Sequence, residues 1–226
     1  MPSVLLSHQA IILPLKMRYP KKFDGTALMF GSIFVDFEYV FIELFKFFAV
    51  PNPLPLGHSL LGIFLWVIPL SIFTTLLFSK WIGPLTGKIV QKIERGKGIL
   101  SYFGFDQLIH LKKKPYSFRW LWISYYSALI GALSHLLLDL PSHQYIPWFH
   151  PFILFETFNF MKFEIMNYGI LTIGPLTWKL NLTIYNLIWL IETVLFGILC
   201  LYFLRKIKLQ GLIEKWYAER EQNLSN

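Results

Sequence analysis

Long apolar stretches separated by short polar ones dominate the chain, and three of them are long enough to cross a lipid bilayer. Residues 59–79 carry no charged side chain over a length that spans about 30 Å of hydrocarbon. Residues 120–138 begin with tryptophans, which are typical of the membrane interface. Residues 180–204 are interrupted only by Glu192. This pattern predicts three membrane-spanning helices, the first of them kinked at Pro69.

Three further stretches are apolar but irregular. Residues 4–15 are too short to span a bilayer, and residues 26–50 are long enough but carry four charged side chains. Together they predict either a re-entrant hairpin or a helix pair packed inside the bundle. Residues 165–178 contain two glycines and a proline, which predicts a half-helix or an interfacial segment. No cleavable signal peptide is expected, because the N-terminus lacks a charged start followed by an apolar core and a small-residue site.

The composition suits a lipid environment better than water. Of 226 residues, 55% are hydrophobic and 15% are charged, against about 45–50% and about 25% in soluble domains. We therefore predict an all-α, polytopic helical bundle. It has one membrane-embedded domain at residues 1–205 and a cytoplasmic tail at 206–226. Cys200 is the single cysteine, which excludes an internal disulfide and makes a thiolate metal site untenable.

The positive charges are unevenly distributed along the chain, whose formal net charge is +8. Residues 80–119 contain nine Lys and Arg but two acidic residues, whereas residues 141–182 contain two of each. Such asymmetry across apolar segments follows the positive-inside rule. The charge therefore indicates topology, with residues 80–119 and the tail inside, and no nucleic-acid partner is expected.

This orientation brings five of the six histidines and two aspartates to the outer membrane face. His58 lies at the outer mouth of the first span. His135 and Asp139 lie at the outer end of the second span, four residues apart and therefore on one helical face. The other residues predicted on this face are His8, Asp36, His143 and His150.

These residue types are those that metal ions prefer. Zinc and similar ions take imidazole and carboxylate ligands, four in a closed site or three plus water in a catalytic one. His135 and Asp139 offer two ligands from one helix, and His58 and Asp36 offer two more. His8 is a candidate ligand for a second ion, with Asp139 as the carboxylate that bridges the two ions.

Structural roles compete with ligation at several positions. For His150 taken alone, interfacial anchoring is favoured over ligation. His110 stands beside the lysines at 112–114 and is assigned to a solvated basic face. Asp36 can also cap a helix, and Glu192 must face the bundle interior or extend to the interface, with a Tyr or Asn as a plausible partner. The pair formed by His135 and Asp139 is a weak pattern by itself. It indicates a metal site only together with the other histidines and the aspartate that are predicted on the same membrane face.

Four segments carry a resemblance to known families: LLSHQAIILPL (5–15), GSIFVDFEY (31–39), GHSLLGIF (57–64) and GALSHLLLDLPSH (131–143). Together they resemble a bacterial integral-membrane family named domain of unknown function 4184, over nearly the whole chain to about residue 205. The sequence also looks like the wider group of membrane-bound metal-dependent hydrolases regulated by the SOS repressor. More distantly, the order of ligand-type residues is similar to that of the zinc-dependent phospholipase C and S1/P1 nuclease superfamily.

The distant resemblance implies an all-helical core that uses zinc to hydrolyse phosphodiesters. The metal ligands that it implies are His8, Asp36, His58, His135, Asp139, His143 and His150. Asp139 is then the bridge, and Asp36 is also the candidate catalytic residue that orients or deprotonates water. Leu154 stands where the soluble enzymes have a glutamate, so two zinc ions are implied rather than three. Val35 replaces the usual proline before the aspartate.

The leading hypothesis is therefore a zinc-type hydrolase of phosphoesters, with phospholipid headgroups among the candidate substrates. It would act at the outer face of the bacterial inner membrane, with membrane lipid as its partner. The main alternative is a non-catalytic metal-binding scaffold or interaction protein. A metal transporter is less favoured, because transport needs polar groups along a whole path and only Glu192 lies deeper in the bundle.

Overall fold

The computed structural model describes residues 6–37, 57–95, 97–111, 117–142, 145–149, 152–156, 162–173 and 176–217. Within these ranges the chain is mostly helical. The helices are α1 (Gln9–Arg18), α2 (Gly25–Ile33), α3 (Leu60–Glu94), α4 (Ile99–Tyr102), a 3-10 helix (Phe105–His110), α5 (Phe118–Ser142) and α6 (Ile184–Leu209). The strands are β1 (Tyr145–Phe149), β2 (Ile153–Glu156), β3 (Glu164–Ile173) and β4 (Leu176–Thr183).

Three helices among the described residues, α3, α5 and α6, are long and apolar enough to cross a membrane. The predicted spans fall on these helices, which is consistent with an integral membrane protein. Many apolar side chains on α3 and α6 face outward, among them Leu65 (68% exposed) and Ile198 (62% exposed). Exposed apolar surface on this scale is expected where lipid rather than water surrounds the helix.

The first predicted span belongs to a helix of 35 residues, α3, whose regularity is broken twice. A π-helical turn at Ile63–Val67 precedes Pro69, and a second at Phe78–Ile82 precedes Pro84. A proline lacks the N–H of a regular helical bond, and its ring collides with the carbonyl one turn earlier. The wider turns accommodate this missing bond, so the disturbance predicted at Pro69 takes the form of a π-helical turn.

The described part of the N-terminal region, residues 6–37, forms a helix pair, one of the two arrangements that its pattern predicts, while residues 38–50 lie outside the described residues. α1 and α2 pack against each other and are joined by a basic turn. The Lys16 side chain stabilises that turn, because its Nζ donates hydrogen bonds to the Pro20 carbonyl at 2.5 Å and to the Phe23 carbonyl at 2.7 Å. The Lys16 side chain is fully buried, and burial lowers the pKa of its ammonium group to about 7.

Two antiparallel hairpins, β1–β2 and β3–β4, correct the expectation of an all-α chain. The half-helix that is one of the two predictions for residues 165–178 is wrong, because the described residues of this range belong to the second hairpin. The interfacial position stays a prediction. Leu176–Thr183 alternates apolar and polar residues without a break, which is the period of a strand. The glycines and proline of this region interrupt a helix, but they are equally typical of hairpins. The first four residues of the predicted third span also belong to β4.

The predicted boundary at residue 205 falls inside α6, which continues to Leu209. Beyond α6 the chain folds back onto the start of α2. Trp216 Nε1 donates to Thr26 Oγ1 at 3.0 Å, and the Gly25 N–H donates to the Trp216 carbonyl at 2.9 Å. Trp216 is buried in a cluster with residues of α1 and α6, so the segment after α6 is part of the packed structure up to Tyr217.

The closest helix packing is between α2 and α5, which run together towards the same end of the bundle. A Cβ added at Gly31 would lie 2.3 Å from the Ala128 carbonyl oxygen, and one at Gly131 would lie 2.2 Å from that of Leu28. Only glycine permits backbones to approach this closely. Near the start of α2, the Ser124 hydroxyl donates to Asp24 Oδ2 at 2.8 Å.

We predict that Gly131→Ala lowers the thermal stability of the purified protein in detergent, by about 1–3 kcal/mol, because the added methyl group forces the two backbones apart. Gly197→Ala is the matched control, since no atom lies within 4 Å of the Cβ added there. We expect the control to be neutral or slightly stabilising. Equal melting temperatures for the two variants would contradict the prediction.

The buried lysine gives a pH-dependent prediction. The pKa of Lys16 is about 7 in the folded protein but about 10.4 in an unfolded chain. The unfolded state therefore binds more protons between these values, and the stability contributed here rises with pH from about 7 to about 10. Denaturation followed across this range should show a steeper rise for the wild type than for Lys16→Met. Lys21→Met, at an exposed position of the same turn, should behave as the wild type, and a slope unchanged by Lys16→Met would refute the assignment.

Candidate metal centre

Four buried side chains converge between three parts of the chain: Asp36, His58, His135 and Asp139. Each offers one ligand atom, and these atoms lie within 4.8 Å of one another. Asp36 follows α2, His58 precedes α3, and the remaining two lie on α5. None of the four side chains exceeds 3% exposure.

The contacts within the cluster alternate imidazole and carboxylate groups. His58 Nε2 lies 3.2 Å from Asp36 Oδ1 and 3.2 Å from Asp139 Oδ2. His135 Nε2 lies 3.3 Å from Asp36 Oδ1 and 3.0 Å from Asp139 Oδ2. One oxygen of each carboxylate therefore faces one nitrogen of each ring, and the four atoms surround a common point.

Local structure explains how each element positions its side chain in the cluster. On α5, His135 and Asp139 are one helical turn apart, so both face the same neighbour. His58 is held next to the start of α3, where Ser59 Oγ accepts a hydrogen bond from the Gly62 N–H at 2.9 Å. Such an N-terminal cap fixes the direction from which the chain enters the helix. Asp36 lies about one turn beyond Gly31, at the end of the close packing of α2 on α5.

The orientation of these side chains favours a shared metal ion over hydrogen-bonded histidine–aspartate pairs. Among the described residues, no side-chain nitrogen of His135 and no carboxylate oxygen of Asp36 takes part in a well-directed hydrogen bond. Burial raises the pKa of the Asp36 carboxyl, but the facing His135 and His58 lower it by more, so the net direction is downward. Asp36 is therefore held as a carboxylate, the form that binds a cation.

His8 lies beside the four-residue cluster, at the start of α1. Its ring stacks on that of His135 with centroids 3.9 Å apart, and its Nε2 lies 3.8 Å from Asp139 Oδ1. The two oxygens of Asp139 thus face different sides: Oδ2 faces His58 and His135, and Oδ1 faces His8.

The cluster lies at one common end of the candidate membrane helices. α3 begins there, α5 ends there and α6 begins there, as their bounds show. Basic residues occupy the opposite ends of the same helices, with Lys92 near the end of α3, Arg119 at the start of α5 and Lys206 near the end of α6. This separation of ligand-type and basic residues agrees with the sequence pattern that predicted it.

The structure brings five of the seven predicted ligands together, His8 among them. The other two, His143 and His150, lie outside the described residues. Two residues of α6 near the cluster were missed as site residues. Tyr185 lies near enough to Asp139 for the carboxylate to disfavour ionisation of the tyrosine hydroxyl. Glu192 lines a small cavity together with His8. Glu192 was detectable as a lone carboxylate in an apolar helix, whereas no sequence signal marks Tyr185.

The donor set fits a divalent transition metal. Two imidazole nitrogens and two carboxylate oxygens match the ligands of zinc sites, and they suit Ca²⁺ or Mg²⁺ less well because those ions prefer oxygen alone. Close burial of two carboxylates is also costly unless positive charge compensates it. A cation at this point would supply that charge.

The described residues thus define a mostly helical protein with three candidate membrane helices and a buried cluster that can hold a metal ion. The sequence matches the family described as "Domain of unknown function (DUF4184)" over residues 1–221, and the chain belongs to this family. The match confirms the family resemblance, while the wider similarity to hydrolases and nucleases stays a prediction. No curated protein and no solved structure matches the chain.

We predict that the purified protein binds Zn²⁺. His135→Ala and Asp139→Asn should weaken this binding by at least about 100-fold, because each variant lacks one of the side chains that would bind the metal directly. His110→Ala, at an exposed position, should bind as the wild type does. Zinc affinity should fall as the pH is lowered, because a histidine ligates only when neutral and protons therefore compete with the metal ion for the rings. Titration calorimetry in detergent measures both effects, and unchanged affinity in the cluster variants would exclude the site.

Proposed function

We propose that the protein is a membrane-bound, zinc-type hydrolase of phosphoesters. The observation that carries this proposal is the convergence of Asp36, His58, His135 and Asp139, buried at one end of three apolar helices. Catalytic zinc sites typically combine histidine and carboxylate ligands, whereas many structural sites use cysteine. The order of these residues, which resembles that of the phospholipase C and S1/P1 nuclease superfamily, supports phosphoesters as the substrate class.

The residues of the cluster divide into two roles in this proposal. A bound zinc ion would supply a Lewis acid that polarises a phosphoryl oxygen and activates water. His58 and His135 would hold the ion as neutral imidazoles, and Asp139 would hold it as a carboxylate. Asp36 contributes Oδ1 to the cluster, which leaves Oδ2 to orient the attacking water or accept its proton.

An apolar cavity of about 270 Å³ supports a lipid as the substrate. Its walls come from α1, α2, Phe78 of α3, the segment at 103–108, the end of α6 and the segment that follows α6. Leu6 and Gln9, on either side of His8, line it, as does Ile33, three residues before Asp36. Thr26, Leu204 and Trp216 line the other end of the cavity, on the side of the basic helix ends. We propose that a hydrocarbon chain lies along this cavity with its headgroup towards the cluster, so phospholipid headgroups are the proposed phosphoester.

The proposed location is the outer face of the bacterial inner membrane. Support comes from the basic residues, which lie at the ends of α3, α5 and α6 opposite to the cluster. Because basic segments stay on the cytoplasmic side, the cluster end would face outward.

The experiment is a hydrolysis assay on the zinc-loaded, full-length protein in mixed micelles. Its substrates are a phosphodiester, a phosphomonoester and phospholipids of different headgroup. We expect turnover of at least one of them, lost by at least about 100-fold in Asp139→Asn and in Asp36→Asn. The exposed-site variant His110→Ala should retain full activity.

Two outcomes would favour other functions. Tight zinc binding without turnover of any substrate would indicate a non-catalytic metal-binding scaffold. Zinc flux into proteoliposomes that is lost in Glu192→Ala would indicate a transporter.

A further inference from the structure

The last part of α3, residues 82–94, carries an exposed apolar stripe at the end of the bundle opposite to the metal cluster. Its members are Ile82, Leu85, Ile89 and Ile93, whose side chains are 43% to 74% exposed. They are three or four residues apart in sequence, so they lie along one face of the helix. A stripe of this kind is stable only where an apolar or interfacial environment covers it.

A different face of the same segment packs on the protein. A Cβ added at Gly87 would lie 2.3 Å from the Ile109 nitrogen, and one at Gly83 would lie 2.6 Å from Leu111 Cδ1. Val90 is buried on this face as well. At 3.6 residues per turn, the packed face is turned by about 120° from the apolar stripe around the helix axis. The segment is therefore fixed to the 3-10 helix while the stripe stays exposed.

The length of α3 places this segment beyond the hydrocarbon core of a bilayer. A helix of 35 residues is about 50 Å long, whereas the hydrocarbon core is about 30 Å thick. Residues 82–94 follow the charge-free run at 59–79. The π-helical turn at Phe78–Ile82 and Pro84 stand at the junction, and helices bend at such features. An amphipathic segment that follows a bend can lie along the membrane surface.

Positive charge borders the stripe. Lys88 and Lys92 are exposed, and the helical period places both along one edge of it. At its start, Lys80 Nζ lies 4.5 Å from the centre of the Trp81 ring, and tryptophan is typical of the membrane interface. This combination of apolar side chains with lysines at their edge complements the acyl chains and phosphate groups of anionic lipids.

The acidic residue of this segment is engaged elsewhere. Glu94 lies on the side of the packed face, where its carboxylate accepts hydrogen bonds from the Ser101 N–H at 2.6 Å and the Leu100 N–H at 3.1 Å. Residues 82–94 contain no other Asp or Glu. The charge of Lys88 and Lys92 is therefore available to a partner outside the chain.

We propose that residues 82–94 form an interfacial helix that binds anionic phospholipids in the leaflet at the basic end of the bundle. The apolar stripe enters the boundary between headgroups and acyl chains, and Lys88 and Lys92 contact lipid phosphates. This inference is independent of the proposed hydrolase, because it concerns the opposite end of the bundle and requires no metal.

The first experiment measures the environment of the stripe by electron paramagnetic resonance. The full-length protein carries a spin label at Ile93→Cys or, as the matched control away from the stripe, at Gln91→Cys. It is reconstituted in vesicles of phosphatidylcholine and phosphatidylglycerol. We expect oxygen, which concentrates in lipid, to relax the label at position 93, and a water-soluble nickel chelate to relax the label at position 91. The wild type should take up no label, because Cys200 is buried.

The accessibility at position 93 decides the outcome. Equal accessibility of both labels to the chelate, or to oxygen, would overturn the proposal, because the stripe and the side away from it would then share one environment. Shared accessibility to the chelate would indicate that the stripe faces water or a protein partner.

The second experiment identifies the lipid class by native mass spectrometry of the protein in detergent. We expect phosphatidylglycerol to bind more tightly than phosphatidylcholine. Lys88→Gln/Lys92→Gln should weaken phosphatidylglycerol binding by about fivefold for each lysine. Lys162→Gln is the control of charge loss at the cluster end, since Lys162 is exposed and the neighbouring Phe163 carbonyl accepts a hydrogen bond from the first residue of α6. It should bind phosphatidylglycerol as the wild type does.

Three results would overturn the proposal. They are equal affinity of the wild type for both lipids, unchanged phosphatidylglycerol affinity in the double variant, and an equal loss in Lys162→Gln. Lys88→Arg/Lys92→Arg guards against misfolding, because it keeps the charge and should retain the affinity of the wild type for phosphatidylglycerol. A loss of affinity in this arginine variant as large as in the glutamine variant would also contradict the proposal.

Discussion

The contact between α2 and α5 is the constraint on which the rest of the structure depends. Gly31 and Gly131 let the two backbones meet at a distance that any side chain would prevent. His135 follows Gly131 by one helical turn, and Asp36 follows Gly31 by little more than one. The glycines therefore set the separation of the two ligand-bearing segments, although neither contributes a ligand. α3 then needs only to begin in the right place to add His58.

This arrangement places two buried carboxylates, whose desolvation is costly, at one end of an otherwise apolar bundle. Asp36 and Asp139 are buried within hydrogen-bond distance of the same two imidazoles, in surroundings of low dielectric constant. Without a cation, the charges are compensated only if protons remain on the rings. A bound ion would take over that compensation, so metal binding and stability of this end are expected to be coupled. At the buried Lys16, two carbonyl groups of its own turn accept hydrogen bonds from Nζ, and burial lowers the pKa of the amine to about 7, so that it can lose its charge.

Much of the fold and the core of the candidate site could be predicted from the sequence. Long apolar runs predict α3, α5 and α6, and the distribution of Lys and Arg predicts His58, His135 and Asp139 at one end of the bundle. The β3–β4 hairpin is not predicted by the glycines and proline at 169–175, because these residues interrupt helices as often as they form turns, and the only signal for a strand is the alternation of Leu176–Thr183. The approach of Glu192 to His8 could not be predicted, since it depends on how α6 packs across the bundle.

The distribution of buried polar groups bears on which function the bundle suits. Asp24 lies at the end opposite the cluster, where Ser124 and the Ala27 N–H satisfy its carboxylate. Between Asp24 and the cluster, α2 and α5 meet through Ala27, Ala128 and other fully buried apolar residues. The described residues of this contact thus form two polar groups separated by an apolar layer, not a continuous polar path. For the function that we propose, this apolar layer confines the charged groups of the α2–α5 contact near the metal cluster to one end of the bundle, whereas transport would need polar groups along a whole path.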